Sequence, residues 1–331
     1  MTKVSIIMAA YNTEKYISTA IDSIIAQTFK DWELIICDDC SSDNTIKIIE
    51  EYCKGNNNIK LIERKTNSGG VRIPNREAAL AASGSLIMTF DSDDFLDNDY
   101  LEKLYRRKEE TGANIVLSCL SFCNESGEEV NKTIPHKDFD FSQIMSGKDV
   151  AKRTIGEVQL SISGILIDKE IFLKNSTTLN ADIEKCKYDE VDKRRLLLLC
   201  DKVAFRNTKY YYRQQPHSLM HNTGILKYDF LKSIELIYVL AKDNFEDKEI
   251  FARLDNEFIS NLLFCMRDYY RYEHYKLKEK EAIKDKIMSA YKFAKKENMH
   301  TCNLKQRLCM LSFSIFQSIS LLYGTYLRCK Q

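Results

Sequence analysis

Four short apolar runs, each ending in a polar cluster, alternate with amphipathic stretches over the first 115 residues. That rhythm restricts the fold more than any other feature of the chain. Residues 4–8 (VSIIM) are followed by Ala9, Ala10, Tyr11 and Asn12, and residues 32–37 (WELIIC) end in Asp38 and Asp39. Residues 59–63 form a third run, and residues 86–90 a fourth that closes at once on Asp91, Ser92, Asp93 and Asp94. Between them Ile17, Ala20, Ile21, Ile24 and Ile25 recur at three- and four-residue spacing, as do Ile46, Ile48, Ile49 and Tyr52 behind a cap at Ser42 or Asp43. Residues 75–82 read as a further helix closed by Gly84. β-branched runs of this length are strands, and the intervening stripes are helices that bury one face. Strands and helices in alternation predict an α/β fold, a Rossmann-like, mostly parallel sheet with helices on both sides.

After Asn114 the rhythm changes. A strand is expected over 115–122, a polar loop over 124–140, an apolar stretch over 160–167, a helix over 189–200 and a Tyr-rich strand over 209–213. Beyond residue 225 everything reads as helix. With 331 residues, 44% of them hydrophobic and only 3 prolines, the chain has material for a large core, and collagenous, disulfide-scaffold and disordered classes are excluded. The 11 cysteines follow no framework spacing and suit a reducing compartment. Cys37 and Cys40 form a C-x-x-C, but no second pair matches it as a zinc site would require. The chain opens directly into its first strand, so no cleaved secretory leader is expected.

In an open α/β sheet, ligands bind beyond the carboxyl ends of the strands. Three carboxylates within four residues at one strand end repel one another, and a hard cation such as Mg²⁺ or Mn²⁺ would relieve that repulsion. The competing reading makes Asp93 or Asp94 the cap of a helix after Phe95. Tyr11 and Asp39 suggest a nucleotide base, the ring to stack on it and the carboxylate to accept from an imide N–H. No G-x-G-x-x-G follows the first strand and no G-x-x-x-x-G-K-[ST] occurs anywhere, so dinucleotide and P-loop sites lose their main support.

The run VSIIMAAYNTEKYISTAIDSIIAQTFKDWELIICDDCSSDNT resembles the opening of family 2 glycosyltransferases, which have the GT-A fold. NSGGVRIPNREAALAASG and FDSDDFLDNDYLEKL continue the resemblance in order, strongly over residues 2–110 and more loosely over 155–220. It implies a metal-assisted, inverting transferase that uses a sugar nucleotide, UDP-linked by expectation, and Mn²⁺ or Mg²⁺. By position, Tyr11 and Asp39 would hold the base with Asp38 beside them, and Arg72 would lie near the nucleotide. Asp91 would approach the ribose, and Asp93 would bind the metal, with Asp94 as second candidate. YDEVDKRRLLLL resembles the family's acidic pair ahead of a helix, in reversed order: Glu190 takes the place of the catalytic base and Asp189 is the alternative. YYYRQQPHSLMH resembles the stretch that puts Arg213 and Ser218 on the diphosphate, and His217 would supply a further metal ligand. Residues 1–115 would then form the nucleotide-sugar half, 116–222 the acceptor half, and 223–331 a helical region. Departures include Ala9 where proline is common, Asn75-Arg76 in reversed order, and Ile165 where many members place lysine. A nucleotidyltransferase on a similar sheet is the alternative enzyme class, and a catalytically inactive sugar-nucleotide-binding protein the non-enzymatic one.

The charge is unevenly spread. The chain carries 49 Lys and Arg against 48 Asp and Glu, yet residues 271–331 hold 13 against 5, a local excess of +8. Residues 308–327 carry no charge, and Lys305, Arg307, Arg328 and Lys330 flank them. A helix lying in an anionic membrane interface fits this pattern, with docking on the protein's own body or a second copy, and full spanning, as alternatives. The expected partners are a nucleotide-sugar donor, a glycan or lipid-linked glycan acceptor and a membrane surface, with no nucleic acid. The expected place is the inner face of the cell membrane.

Overall fold

The computed structural model describes residues 2–135, 140–155, 163–177, 189–214, 228–271, 277–299 and 318. In chain order its elements are β1 (Val4–Ala10), α1 (Ile17–Ile25), β2 (Trp32–Asp38), α2 (Thr45–Gly55), β3 (Ile59–Glu63), α3 (Arg72–Ala81), β4 (Leu86–Thr89), β5 (Phe95–Leu96), α4 (Tyr100–Thr111), β6 (Ile115–Cys123), β7 (Glu129–Ile134), β8 (Ile144–Met145), α5 (Gly147–Arg153), β9 (Leu166–Asp168), α6 (Lys169–Thr177), α7 (Asp189–Leu198), β10 (Val203–Arg213), α8 (Phe230–Asn244), α9 (Lys248–Arg271) and α10 (Leu277–Lys296). They fall into two compact units. One comprises Met1–Thr154, Val158–Lys185 and Asp192–Pro216; the other comprises Ile155–Glu157, Cys186–Val191 and His217–Gln331.

The first unit is built on one sheet in the order β3-β2-β1-β4-β9-β6-β10-β5. β3, β2, β1 and β4 run parallel, as the alternation of the first 115 residues predicts. β9 is antiparallel to both β4 and β6, and β6 and β10 are parallel to each other. Side chains alternate across each strand. Val4, Ile6, Met8 and Ala10 of β1 join Ile17, Ile21 and Ile24 of α1 in the main core, while Ile7 is equally buried on the other face, where α3 packs. The β1–β2 register ends with Ala10 opposite Asp38, so the residues that follow the two strands emerge side by side.

Several local signals act as sequence chemistry requires. Gly112 stops α4 at φ +60°, its N–H donating to the Lys108 carbonyl at 2.8 Å. Ser146 caps α5, accepting the Asp149 N–H at 3.0 Å. Asp43 accepts the Thr45 N–H at 2.9 Å at the head of α2. Other expectations are corrected. α3 begins at Arg72, three residues earlier than its apolar stripe indicates, with Pro74 tolerated in the first turn. The polar stretch after residue 124 contains β7, which pairs antiparallel with β6. The residues after Asp94 form β5, not a helix, and α4 starts only at Tyr100 behind Asp99. Asp93 and Asp94 therefore cap no helix.

At the opposite end of the sheet, Glu33 is buried, and its carboxylate accepts from Ser5 Oγ at 2.7 Å, Ser83 N and Ser83 Oγ at 2.6 Å, and Lys60 Nζ at 2.7 Å. Burial alone would raise its pKa. The four donors outweigh burial and hold it down to about 2. Because the folded value lies below the usual 4.5, the stabilisation is fully present above that value and is lost as the pH falls through 4.5 towards 2. Lys60 is half exposed, so the contribution is about 2 kcal/mol, less than the full shift. Glu33→Gln should lower the melting temperature at pH 7 and flatten the acid limb of a thermal-melt series between pH 5 and 3. An unchanged acid limb would contradict this account of the cluster.

In the second unit α8, α9 and α10 pack on one another around Ile234, Tyr238, Leu254, Phe258, Ile283, Ile287 and Ala290. Tyr238 meets Phe251 and Phe293 edge-on, with ring centroids 5.5 and 5.8 Å apart. Tyr228 is buried and donates to Asp268 at 2.9 Å. Among the described residues no helix is long and apolar enough to cross a membrane. The uncharged tail expected at 308–327 lies outside the described residues except for Ser318.

Candidate functional site

The carboxyl ends of β1, β2 and β4 bring the first polar clusters together. Tyr11 follows β1 and is 50% exposed; Asn12 beside it turns the chain at φ +52°. The loops after β1 and β2 are sewn to each other. Asn12 N donates to Ser41 Oγ at 2.9 Å, Ser42 N to Asn12 Oδ1 at 2.8 Å, Thr13 N to Thr45 Oγ1 at 2.8 Å, and Asn44 N to Glu14 Oε2 at 2.9 Å.

Asp38 and Asp39 take opposite roles. Asp38 is fully buried and accepts Ser41 N at 2.8 Å and Ser41 Oγ at 2.5 Å, so its carboxylate faces into the loop that supports Tyr11. Asp39 sits in a cradle: Ser68 N and Ser68 Oγ donate to its Oδ2 at 2.9 and 2.8 Å, and Arg64 Nη1 pairs with its Oδ1. Arg64 is held from the other side by Glu77, whose two carboxylate oxygens lie 3.2 and 3.1 Å from its Nε. Neither Arg64 nor Glu77 stands out in the sequence. The one signal for Arg64 is its place directly after β3, beside the end of β2. The C-x-x-C in the same region is no thiolate pair. Cys37 is buried, and its thiol is pushed up to about 12 by burial and by Glu77, while all the described cysteines are free.

The acidic run after β4 is gripped from β10. Tyr210 is buried; its hydroxyl donates to Asp91 Oδ2 at 3.2 Å and accepts Asp91 N at 3.1 Å. Asp94 is fully buried, with Oδ1 accepting the Arg213 N–H at 2.8 Å and Oδ2 without a geometric hydrogen bond among the described residues, the Tyr210 hydroxyl lying near the carboxylate. Burial first, then the neighbouring Asp93 and Asp91, push its pKa well above the usual carboxylate range. Arg213 is 7% exposed, donates from Nε to the Asp93 carbonyl at 2.9 Å and from Nη1 to the Glu125 carbonyl at 2.6 Å, and lies over the rings of Tyr16 and Phe95. Tyr16 in turn donates to Glu125 at 2.8 Å. Glu125 and Tyr16 were not legible in the sequence, because the β6–β7 turn brings the one to Arg213 and the head of α1 the other.

Among the described residues no group of three or more His, Cys, Asp and Glu converges as a ready-made metal cage. An all-protein cage is not what a hard cation at a diphosphate needs; one or two carboxylates plus phosphate oxygens suffice. Asp94 Oδ2, without a geometric hydrogen bond among the described residues, and the mutual repulsion of Asp91, Asp93 and Asp94 fit such a cation.

Arg72 opens α3, with Nε 3.5 Å from Asp192 Oδ2 and Nη2 3.4 Å from the Ser176 carbonyl. Asp189 and Glu190 begin α7, but their side chains lie outside the described residues, as do His217 and Ser218 entirely.

Residues 5–170 match the family model described as Glycosyl transferase family 2. A poly(ribitol-phosphate) beta-glucosyltransferase of Bacillus spizizenii is 33% identical over 51% of this chain and 26% of its own length. A UDP-Glc:alpha-D-GlcNAc-diphosphoundecaprenol beta-1,3-glucosyltransferase of Escherichia coli is 42% identical over 30% of this chain and 38% of its own. The chain thus spans well under half the length of either relative. The crystal structure of Staphylococcus aureus TarS 1-349 in complex with UDP-GlcNAc superposes with a TM-score of 0.69 at 20% identity, covering 98% of this chain and 92% of that one. The last likeness is one of fold.

Proposed function

The chain belongs to glycosyltransferase family 2, and on that footing we propose that it transfers a sugar, with inversion, from a UDP-sugar to a hydroxyl of a cell-surface polysaccharide precursor. The observation that carries this reading is the juxtaposition of an exposed Tyr11 ring, a cradled Asp39 carboxylate and the Asp91–Asp94 run at adjoining strand ends. Tyr11 would stack on the base and Asp39 would accept its imide N–H. Asp38 would support Tyr11 through Ser41 instead of touching the ligand. Asp91 would meet the ribose. Asp93, with Asp94 behind it, would hold Mn²⁺ or Mg²⁺, which when bound neutralises charge on the leaving diphosphate. Arg213 supplies positive charge beside the same loop, and Arg72, Ser218 and His217 are the further candidates for the phosphates. Glu190, with Asp189 as alternative, would take the acceptor proton. Residues 1–115 are assigned to the donor, 116–222 to the acceptor and 223–331 to the helical region.

The names of the relatives support the acceptor class: one acts on poly(ribitol-phosphate) and the other on a diphosphoundecaprenol-linked sugar. An acceptor tethered to a membrane would favour a transferase at the cytoplasmic face, and the basic, uncharged-cored tail suits such contact. The nucleotidyltransferase alternative lacks a Gly/Arg/Lys-rich phosphate loop after β1. Thermal shift against UDP-, GDP- and TDP-sugars, with Mn²⁺ and with EDTA, tests the donor reading. UDP-sugars with Mn²⁺ should raise the melting temperature, at 100 times Kd by the equivalent of about 2.7 kcal/mol. Stabilisation by no nucleotide, or by all equally in EDTA, would overturn it.

A further inference from the structure

The β6–β7 turn does more than reverse the chain. Resting on the reading that Asp93 holds a divalent cation, we propose that Glu125 is a positioning residue for that cation site. With Tyr16 it locks Arg213, and Arg213 in turn fixes the main chain that carries Asp93.

Glu125 holds the Arg213 guanidinium in two ways. Its main-chain carbonyl accepts Nη1 at 2.6 Å. Its carboxylate accepts the Tyr16 hydroxyl at 2.8 Å, and so fixes a ring over which the guanidinium lies, with Cζ 5.2 Å from the centroid. The turn that presents both groups is itself braced. Asn124 Oδ1 accepts Glu128 N and Ser126 Oγ, each at 2.8 Å, Asn124 Nδ2 donates to Glu128 Oε2 at 2.8 Å, and Gly127 bends the chain at φ +88°. A methyl group built on Gly127 would lie 3.5 Å from Arg213 Nη1 and 3.6 Å from the Phe95 ring, so the turn packs directly on the guanidinium. Phe95 contributes a second ring, 5.3 Å from the same carbon.

The same arginine grips the acidic run. Its Nε donates to the Asp93 carbonyl at 2.9 Å, and its main-chain N–H donates to Asp94 Oδ1 at 2.8 Å. Arg213 is 7% exposed, where charge-assisted bonds to carbonyls are little weakened by water. A peptide held at its carbonyl has little freedom to rotate, so the direction in which the Asp93 side chain leaves the loop follows the guanidinium. A carboxylate oriented in advance binds a cation more tightly, because less ordering remains to be done on binding. Tyr16 and Glu125 act through Arg213 and not by contact with the cation.

The test measures Mn²⁺ binding in the presence of UDP, from the loss of the electron paramagnetic resonance signal of free Mn²⁺. It compares wild type with Glu125→Ala, Glu125→Gln, Tyr16→Phe, and Glu125→Ala combined with Tyr16→Phe. Glu125→Ala and Tyr16→Phe should each weaken Mn²⁺ by about fivefold, the factor of one net hydrogen bond. The combined variant should lose no more than either single one, because both remove the same bond. Glu125→Gln keeps an acceptor for Tyr16 without the charge and should stay within about twofold of wild type. Melting temperatures in EDTA report any structural loss separately. Unchanged Mn²⁺ affinity in Glu125→Ala and Tyr16→Phe, whatever their melting temperatures, would overturn the proposal and leave the pair a structural tie. Losses that add in the combined variant would overturn it too. So would an equal loss in Glu125→Gln and Glu125→Ala, which would assign the effect to the charge of the carboxylate. If Glu125→Ala does not fold, Tyr16→Phe decides alone, and wild-type Mn²⁺ affinity there overturns the proposal. Wild type that binds no Mn²⁺ with UDP present would instead count against the cation reading itself, so the two failures are distinguishable.

Discussion

Asp93→Asn is expected to lower kcat/KM for sugar transfer by about a thousandfold, close to 4 kcal/mol of transition-state stabilisation, while leaving the melting temperature unchanged. The separation follows from what each part of Asp93 does. Its carbonyl anchors Arg213 Nε at 2.9 Å, and the substitution keeps it. Its carboxylate, like that of Asp91, is partly exposed, and under the proposed reading it is the one that would meet a cation and a diphosphate. Asp94→Asn provides the contrast. Asp94 is fully buried, its Oδ1 accepts the Arg213 N–H, and an asparagine carbonyl can do the same. Removing its charge also relieves repulsion from Asp93 and Asp91. That variant should lose only about tenfold in rate and no stability. Steady-state kinetics beside thermal melts decide the matter, and equal losses in the two variants would contradict the division of labour.

Gly164→Ala should be among the most destabilising single changes in the first unit. Gly164 precedes β9 at φ +69°, donates its N–H to the Thr89 carbonyl at 3.1 Å and accepts the Tyr100 hydroxyl at 2.7 Å. A methyl group there would run into the Tyr210 ring and the Tyr100 hydroxyl, both fully buried. Tyr210 cannot move without releasing Asp91, and Tyr100 cannot move without losing Ser118 at 2.6 Å. The strain and the clash together should cost about 3 kcal/mol or more, a fall of roughly 10 °C in melting temperature, and weaken donor binding. Gly112→Ala isolates the strain alone: its φ is +60°, but a methyl there meets nothing within 4 Å. It should cost about 1 kcal/mol without touching donor affinity. Similar losses at both glycines would show that packing around Tyr210 is looser than described.

The parts of this fold legible in the sequence are those written in local periodicity. β1, α1, β2, α2, β3 and β4 announce themselves because each buries a face whose pattern depends only on its own residues. β5, β7 and β9 do not. β5 is two residues long and exists because Phe95 pairs with Tyr211, while β7 reads as polar because it lies at an edge, paired only with β6. The site follows the same division. Tyr11, Asp39, Asp91, Asp93 and Asp94 could be singled out because strand ends are where an open sheet binds ligands. The different partners of Asp38, which ends β2 on Ser41, and Asp39, which lies one residue beyond the strand on Ser68 and Arg64, are set by loop contacts that no local pattern announces. Arg64, Glu77, Tyr16 and Glu125 were silent, since their partners are 13 to 109 positions away and only tertiary contact gives them meaning.

The central claim is that the strand-end cluster turns over a UDP-sugar with the help of a divalent cation. Release of UDP from UDP-glucose and UDP-GlcNAc, measured for wild type and Asp93→Asn with Mn²⁺ and with EDTA, tests it most directly. The account predicts UDP release by wild type with Mn²⁺, its loss in EDTA, and near-complete loss in Asp93→Asn under both conditions. Release that is indifferent to EDTA and undiminished in Asp93→Asn would contradict it.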